Sequence, residues 1–194
     1  MPRSLRIDYD NAWHHVVNRG AARAKVFLDD WDNRCFLESI SEAASLTHME
    51  IHAYCIMGNH YHLLVRSRNG RLSDFMRQTS GRFVKLRNLR RGQDGPLFKG
   101  RFWSAILESD AHLVQASRYV HLNPVNADLV KSPTDWPWSS AAAYLGLHQP
   151  PDWLTISEIL SMFGPADERR KYSEYLAEGV DAETIRRYAE IAEP

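Results

Sequence analysis

His60 and His62 stand two residues apart in the run HYHLLVR. On a strand, the side-chain period of two turns both imidazoles to one face and leaves Tyr61, Leu63 and Val65 on the other. Two imidazoles on one face can share a metal ion; packed strand histidines give the same spacing, and this chain has nine histidines. Farther along, His112, Gln115, Tyr119 and Asn123 follow at helical intervals and draw a polar line down one side of a helix. Tyr119 and Asn123 therefore project into one site. His121, two positions on, is turned about 200° from Tyr119 and makes a poor third ligand. The ordinary alternative for Tyr119 is a partly buried helix tyrosine with a bonded hydroxyl.

A phenol with a pKa near 10 is only about 0.1% ionised at neutral pH, so a tyrosine nucleophile needs help. A metal ion that polarises phosphate oxygens supplies it, by making phosphorus easier to attack and by neutralising charge in the transition state. Two imidazoles, an amide and a phenol suit that task. Imidazole nitrogens favour Mn²⁺ or Zn²⁺ over Mg²⁺, but an open site completed by phosphate oxygens and water accepts Mg²⁺ or Mn²⁺.

Several elements must hold these groups in place. Residues 12–18 read as a strand running into a turn at Arg19-Gly20. Asp29 or Asp30 caps a helix in which Phe36, Leu37, Ile40, Ala43, Ala44 and Thr47 form one stripe through about His48. Residues 51–57 and 60–66 flank Gly58-Asn59 as a hairpin. A helix follows with Ser73 as its N-cap and Phe75, Met76, Thr79, Phe83 and Leu86 inward, and it breaks over 92–96. Residues 102–107 are a fourth strand. Ser109 then caps the tyrosine helix, and Pro124 predicts its end near Asn123.

The order β-α-β-β-α-β-α is that of a ferredoxin-like α+β fold, an antiparallel sheet with helices on one face. After the Pro- and Trp-rich stretch 133–138, helical segments over 139–145, 155–163, 166–178 and 182–192 make a C-terminal helical extension. We expect residues 1–130 to form the core domain and 131–194 an extension packed on it.

The chain has 194 residues, 44% of them apolar, with 6 Trp, 8 Tyr and 7 Phe, which is enough to build a core and excludes long disorder as the main state. No run approaches the roughly 20 apolar residues of a membrane span, and MPRSLRIDYD lacks a signal-peptide core, so the expectation is a cytoplasmic protein without membrane partners. Cys35 and Cys55 fit no CxxC or zinc-finger spacing and are expected to stay reduced.

Lys plus Arg balances Asp plus Glu at 24 each, yet the charge is uneven. Eleven basic residues lie between Arg66 and Trp103 against only Asp74 and Asp94, whereas ten acidic and five basic residues follow from Asp152 onward. A basic centre suits a polyanion or a solvated arginine-rich helix face. The acidic tail suits an appendage that competes for the basic surface, or ordinary solvated helices.

These same residues carry a resemblance. MGNHYHLL (57–64), GPLFKGRF (95–102), RYVHLNPV (118–125) and the opening WHHVVNRG (13–20), with WPWSSAAAYLG after them, resemble the REP-associated tyrosine transposases, relatives of the IS200/IS605 single-tyrosine transposases in the HUH nuclease superfamily. The resemblance covers residues 12 to 147 and implies that residues 1–130 are an HUH catalytic domain. His60 and His62 would be its metal ligands, Tyr119 its nucleophile and Asn123 the third polar ligand.

It further implies cleavage of single-stranded DNA near hairpins through a 5′-phosphotyrosine, in a bacterial, nucleoid-associated protein acting as monomer or homodimer. Gly58 departs from the Met-Pro-Asn-His form expected before the pair and leaves the hairpin geometry open. Arg77, Arg82, Lys85, Arg87, Arg90, Arg91, Lys99 and Arg101 would grip phosphates and Trp103 would stack on a base. Arg19 joins them, because Gly20 beside it allows close approach of a nucleotide. Two other readings stay open: a single-stranded nucleic-acid binder that no longer cleaves, and a metallophosphoesterase that uses water.

Overall fold

The computed structural model of the chain describes residues 7–192. Four strands, β1 (Trp13–Arg19), β2 (Glu50–Ile56), β3 (His60–Arg66) and β4 (Trp103–Ile106), form one antiparallel sheet in the order β2-β3-β1-β4. That is the ferredoxin-like order the element pattern predicts. Two long helices, α1 (Asp30–Thr47) and α2 (Leu72–Arg91), make the crossovers. Asp29 caps α1 by accepting from the Asp32 amide at 3.0 Å, and His48 ends it in the left-handed conformation at φ 56°.

The alternation along β3 divides the molecule. Tyr61 is fully buried against Phe36 of α1, with ring centroids 4.6 Å apart, and Phe83 of α2 packs on Phe27 and Phe36 in the same cluster. The crossover helices therefore cover the Tyr61 face. His62 points the other way, to α3 (Asp110–Asn126), whose N-cap is Ser109 as expected. The two crossover helices share one face as expected, and α3 covers the other, so helices are not confined to a single face.

Two helix ends differ from the sequence expectation. Ser73 is not the N-cap of α2: the helix starts at Leu72, whose amide is taken by Asp8 Oδ2 at 2.8 Å, while Ser67 Oγ accepts from the Arg71 amide. A carboxylate 64 positions earlier does the capping. The tyrosine helix also runs through Pro124 to Asn126 rather than stopping at Asn123. Proline removes a single amide there, its ring is buried, and the Ala127 amide still closes the last turn on the Asn123 carbonyl at 3.1 Å. The room at Gly20 is used by the chain itself, since a Cβ there would meet the Ala24 carbonyl oxygen at 2.1 Å.

The extension comprises α4 (Ala141–Tyr144), α5 (Ser157–Ser161), α6 (Glu168–Ala177) and α7 (Ala182–Ala192). It is laced to the edge strand β2 by Trp136 Nε1 on the Ile56 carbonyl, by the Ile56 amide on the Trp138 carbonyl and by the Thr155 amide on the Ile51 carbonyl, all within 2.9 Å. Deeper in, His121 of α3 lies 2.6 Å from the Tyr172 hydroxyl of α6 and 2.7 Å from Ser140 Oγ. Among the described residues no helix is long and apolar enough to cross a membrane.

Burial pushes the His121 pKa down to about 3. The unfolded chain, with an ordinary histidine, takes up a proton below about pH 6.5 that the folded chain refuses. Stability from this group is complete above that pH and falls by about 1.4 kcal/mol per unit on acidification until the folded value is reached. His121→Gln should lower stability at pH 7 and flatten its decline between pH 6 and 4 by about one proton. Urea unfolding across that range measures both, and an unchanged slope would remove His121 from the acid response.

Candidate metal and nucleophile site

The register of β1 on β3 sets the floor of the site. Val17 lies opposite His62 and Arg19 opposite His60, so His15, Val17, Arg19, His60 and His62 share one face of the sheet. Trp103 of β4 pairs with Val17 and extends the same row. Tyr119 stands over this floor, its ring 5.4 Å from His62 and 6.0 Å from His15, both edge-on. Asn123, one turn along α3, brings its Oδ1 to 3.3 Å from His60 Nε2, and its amide acts on the Tyr119 hydroxyl to lower the phenol pKa. The four residues expected to form the centre are thus gathered on one face. His121 points away into the α6 contact.

The hydrogen bonds around the imidazoles decide what they can do. Asn59 donates from Nδ2 to the Arg23 carbonyl at 3.2 Å, which leaves its Oδ1 facing His60 Nδ1 at 2.7 Å. His60 therefore carries its proton on Nδ1, and its Nε2 lone pair meets the lone pairs of Asn123 Oδ1. A cation between these two atoms, 3.3 Å apart, would be bound by both lone pairs. His62 Nε2 is buried without a hydrogen-bond partner. A cation there requires the His62 proton on Nδ1, and His15 Nε2, 3.0 Å from that nitrogen, is the acceptor that holds it. The donor set, two imidazole nitrogens and an amide oxygen, fits a divalent cation with open positions.

Burial drives the His60 pKa down to about 4, with Arg19 adding to it, and holds His62 well below its ordinary value, where His60, His15 and Arg19 contribute. Both lone pairs are available at neutral pH. Burial raises the Tyr119 phenol above its usual value, while Asn123 and the Arg19 charge pull it back. Tyr119 is only 6% exposed, because Tyr188 of α7 stacks on it at 4.7 Å and 25° between ring planes. Tyr188 also meets His15 edge-on at 5.0 Å, and Gln115 of α3 holds α7 through Thr184 Oγ1 at 2.7 Å.

Neither His15 nor Tyr188 was singled out by spacing. The adjacent pair His14-His15 marks the first position in the sequence but not which ring turns inward.

The residues expected to grip DNA divide between the two faces. Arg19 and Trp103 lie on the histidine face, and Lys99 adjoins them, its amide on the Arg19 carbonyl at 2.9 Å and its Nζ 5.9 Å from the Trp103 ring. Arg101 lies two residues before the start of β4 and is exposed. Arg77, Arg82, Lys85, Arg87, Arg90 and Arg91 all belong to α2, which covers the opposite face. Five of these six have protein partners: Arg77 pairs with Asp74, Arg82 with Glu42, Arg87 with Gln93, and Arg90 and Arg91 with Asp29, Arg91 reaching Asp32 as well.

Among the described residues, one group of three acidic or histidine side chains has metal-compatible spacing, Glu50, His52 and Glu158, and it does not include the His60–His62 pair.

The sequence matches the model of the IS200-like transposase family over residues 8–123. No curated protein matches it. Among solved structures, a REP-associated tyrosine transposase bound to a REP hairpin has a similar fold, with a TM-score of 0.64 at 19% identity over 80% of this chain and 92% of that one. A putative transposase from Deinococcus radiodurans R1 aligns over 66% of this chain and 98% of its own, with a TM-score of 0.44 and 13% identity.

Proposed function

The chain belongs to the family of IS200-like transposases, and on that premise we propose that it is a metal-dependent endonuclease and strand transferase that opens single-stranded DNA beside hairpins with Tyr119. The observation that carries this reading is the convergence of Tyr119, Asn123, His60 and His62 on one face of the sheet. His60 Nε2, His62 Nε2 and Asn123 Oδ1 would hold the ion, Mg²⁺ or Mn²⁺. When bound, it supplies Lewis-acid polarisation of the scissile phosphate.

The protein's own groups do the rest. Asn123 orients the phenol, and the Arg19 charge favours its ionised form and the phosphate it meets. The Tyr119 hydroxyl gives up its proton as its oxygen forms a bond to phosphorus, the bond to the 3′ oxygen breaks, and that oxygen takes up a proton to leave as a hydroxyl, so the protons balance. The 5′-phosphotyrosine keeps the energy of the broken linkage, so a 3′-hydroxyl can reverse the step and join strands. Arg19, Lys99 and Arg101 would grip the strand and Trp103 would stack on a base. The test is a labelled hairpin oligonucleotide run on a denaturing gel. A protein-linked band that needs Mg²⁺ or Mn²⁺ is expected, and free 5′-phosphate without such a band would favour hydrolysis by water.

Tyr188 stacks on the Tyr119 ring and covers it, and on this reading an incoming nucleotide has to displace it. We predict that Tyr188→Ala raises the rate of adduct formation about tenfold, because the stack it removes is worth on the order of 1 kcal/mol plus the buried area. Tyr188→Phe keeps the stack and should match the wild type. Equal rates for all three proteins would mean that α7 does not gate the site.

A further inference from the structure

The edge strand β2 carries an irregularity that the proposed DNA chemistry leaves unused. Its pairing with β3 shifts between Ile51 and Ala53, so His52 is the extra residue of a β-bulge with no partner across the ladder. Bulges re-aim side chains, and this one turns His52 under the Trp13 ring at 4.2 Å and toward two carboxylates. His52 is fully buried, and neither ring nitrogen has a hydrogen-bond partner. Glu50 Oε2 is likewise buried and unpartnered.

The distances among these orphaned atoms are informative. His52 Nε2 stands 3.7 Å from Glu50 Oε2 and 4.0 Å from Glu158 Oε2, and the three residues' ligand atoms lie within 4.8 Å of one another. Those separations are too long for hydrogen bonds. The two histidine–carboxylate distances are a few tenths of an ångström longer than the roughly 3.3–3.6 Å edges of a tetrahedron around an ion with ligands at about 2.0–2.2 Å, so an ion would draw the carboxylates slightly inward.

The surroundings hold the three groups in place. Arg68 binds Glu50 Oε1 at 2.7 Å and Arg66 binds Glu158 Oε1 at 2.8 Å, so each carboxylate gives one oxygen to a guanidinium and turns the other toward the histidine. The Tyr144 hydroxyl donates to the His52 carbonyl at 2.8 Å and the Thr155 amide to the Ile51 carbonyl, which fixes the bulge. Glu50 and Glu158 are each about one-third exposed, so an ion can enter from solvent.

We infer that Glu50, His52 and Glu158 form a second metal site that takes a transition-metal dication such as Zn²⁺ and clamps α5 of the extension to the edge strand. The imidazole selects against Mg²⁺ and Ca²⁺. Arg66 Nη1, 3.9 Å from Glu50 Oε2, competes with the ion for that oxygen and keeps the affinity below that of a cage of unpaired carboxylates. The site stands apart from the Tyr119 chemistry, and neither needs the other.

Isothermal titration of the full chain with zinc chloride tests it, using the His60→Ala/His62→Ala double variant so that the other imidazole pair cannot bind. One Zn²⁺ per chain is expected, with a rise in the thermal midpoint. Adding Glu158→Gln, at a part-exposed position where folding should survive, should weaken binding at least tenfold, and adding His52→Phe should abolish it. If the double variant does not fold, the wild-type chain should lose one equivalent of Zn²⁺ on Glu158→Gln. No Zn²⁺ uptake, or uptake indifferent to both Glu158 and His52, would overturn the site and leave a bridging water among these groups.

Discussion

In Tyr119→Phe the covalent protein–DNA band should disappear, a loss of at least about 10³-fold in adduct rate. Phenylalanine keeps the ring that stacks on Tyr188 and meets His62, and it removes only the hydroxyl. Folding stability should therefore change by only about 1 kcal/mol, and circular dichroism should be unaltered. Hairpin binding should survive, since phosphate contacts and stacking do not use the hydroxyl. Persistence of the band in this variant would move the nucleophile elsewhere, with Tyr188 the nearest other phenol. Loss of the band together with the fold would decide nothing, so the stability measurement belongs in the same experiment.

His62→Ala should cost at least about 10²-fold in adduct formation and should not be rescued by raising the metal concentration. It removes an imidazole whose Nε2 is buried with nothing to accept or donate to it. His15→Phe gives a graded contrast. It keeps an aromatic ring packed against His62 but removes the acceptor at 3.0 Å that sets the His62 proton, and loss of such a partner costs about 10- to 100-fold in metal affinity. Activity of His15→Phe should return as Mn²⁺ is raised, and that of His62→Ala should not. Mn²⁺ binding followed by electron paramagnetic resonance separates affinity from chemistry. Equal behaviour of the two variants would show that His15 does more than orient His62, or that His62 does no more than pack.

The parts of this site that obey a local period were legible in the sequence. The strand period puts His60 and His62 on one face and the helix period puts Tyr119 and Asn123 on one side, and neither needs tertiary information. The partners that cross the molecule were not legible. His15 reaches His62 through the β1–β3 register, and Tyr188 reaches Tyr119 through the docking of α7. The Ser73 cap failed for the same reason, because Asp8 arrives at the α2 terminus from another part of the chain.

Charge counting along the sequence had a related blind spot. The excess of basic residues between Arg66 and Trp103 is real, but Asp29, Asp32 and Glu42 of the first crossover pair with the arginines of the second. A segment's net charge describes the field of a face only after such cross-element pairs are subtracted.

The lacing of residues 138–140 and 154–155 along β2 has a further consequence. A strand at the margin of a sheet offers its amides and carbonyls to any extended peptide, including the same strand of another copy. Here the Cys55–Ser139 and Ile51–Leu154 bridges engage much of that margin from within the chain. Self-association by lengthening the sheet through β2 is thereby blocked, and a chain shortened before the second of these segments should be more prone to aggregate.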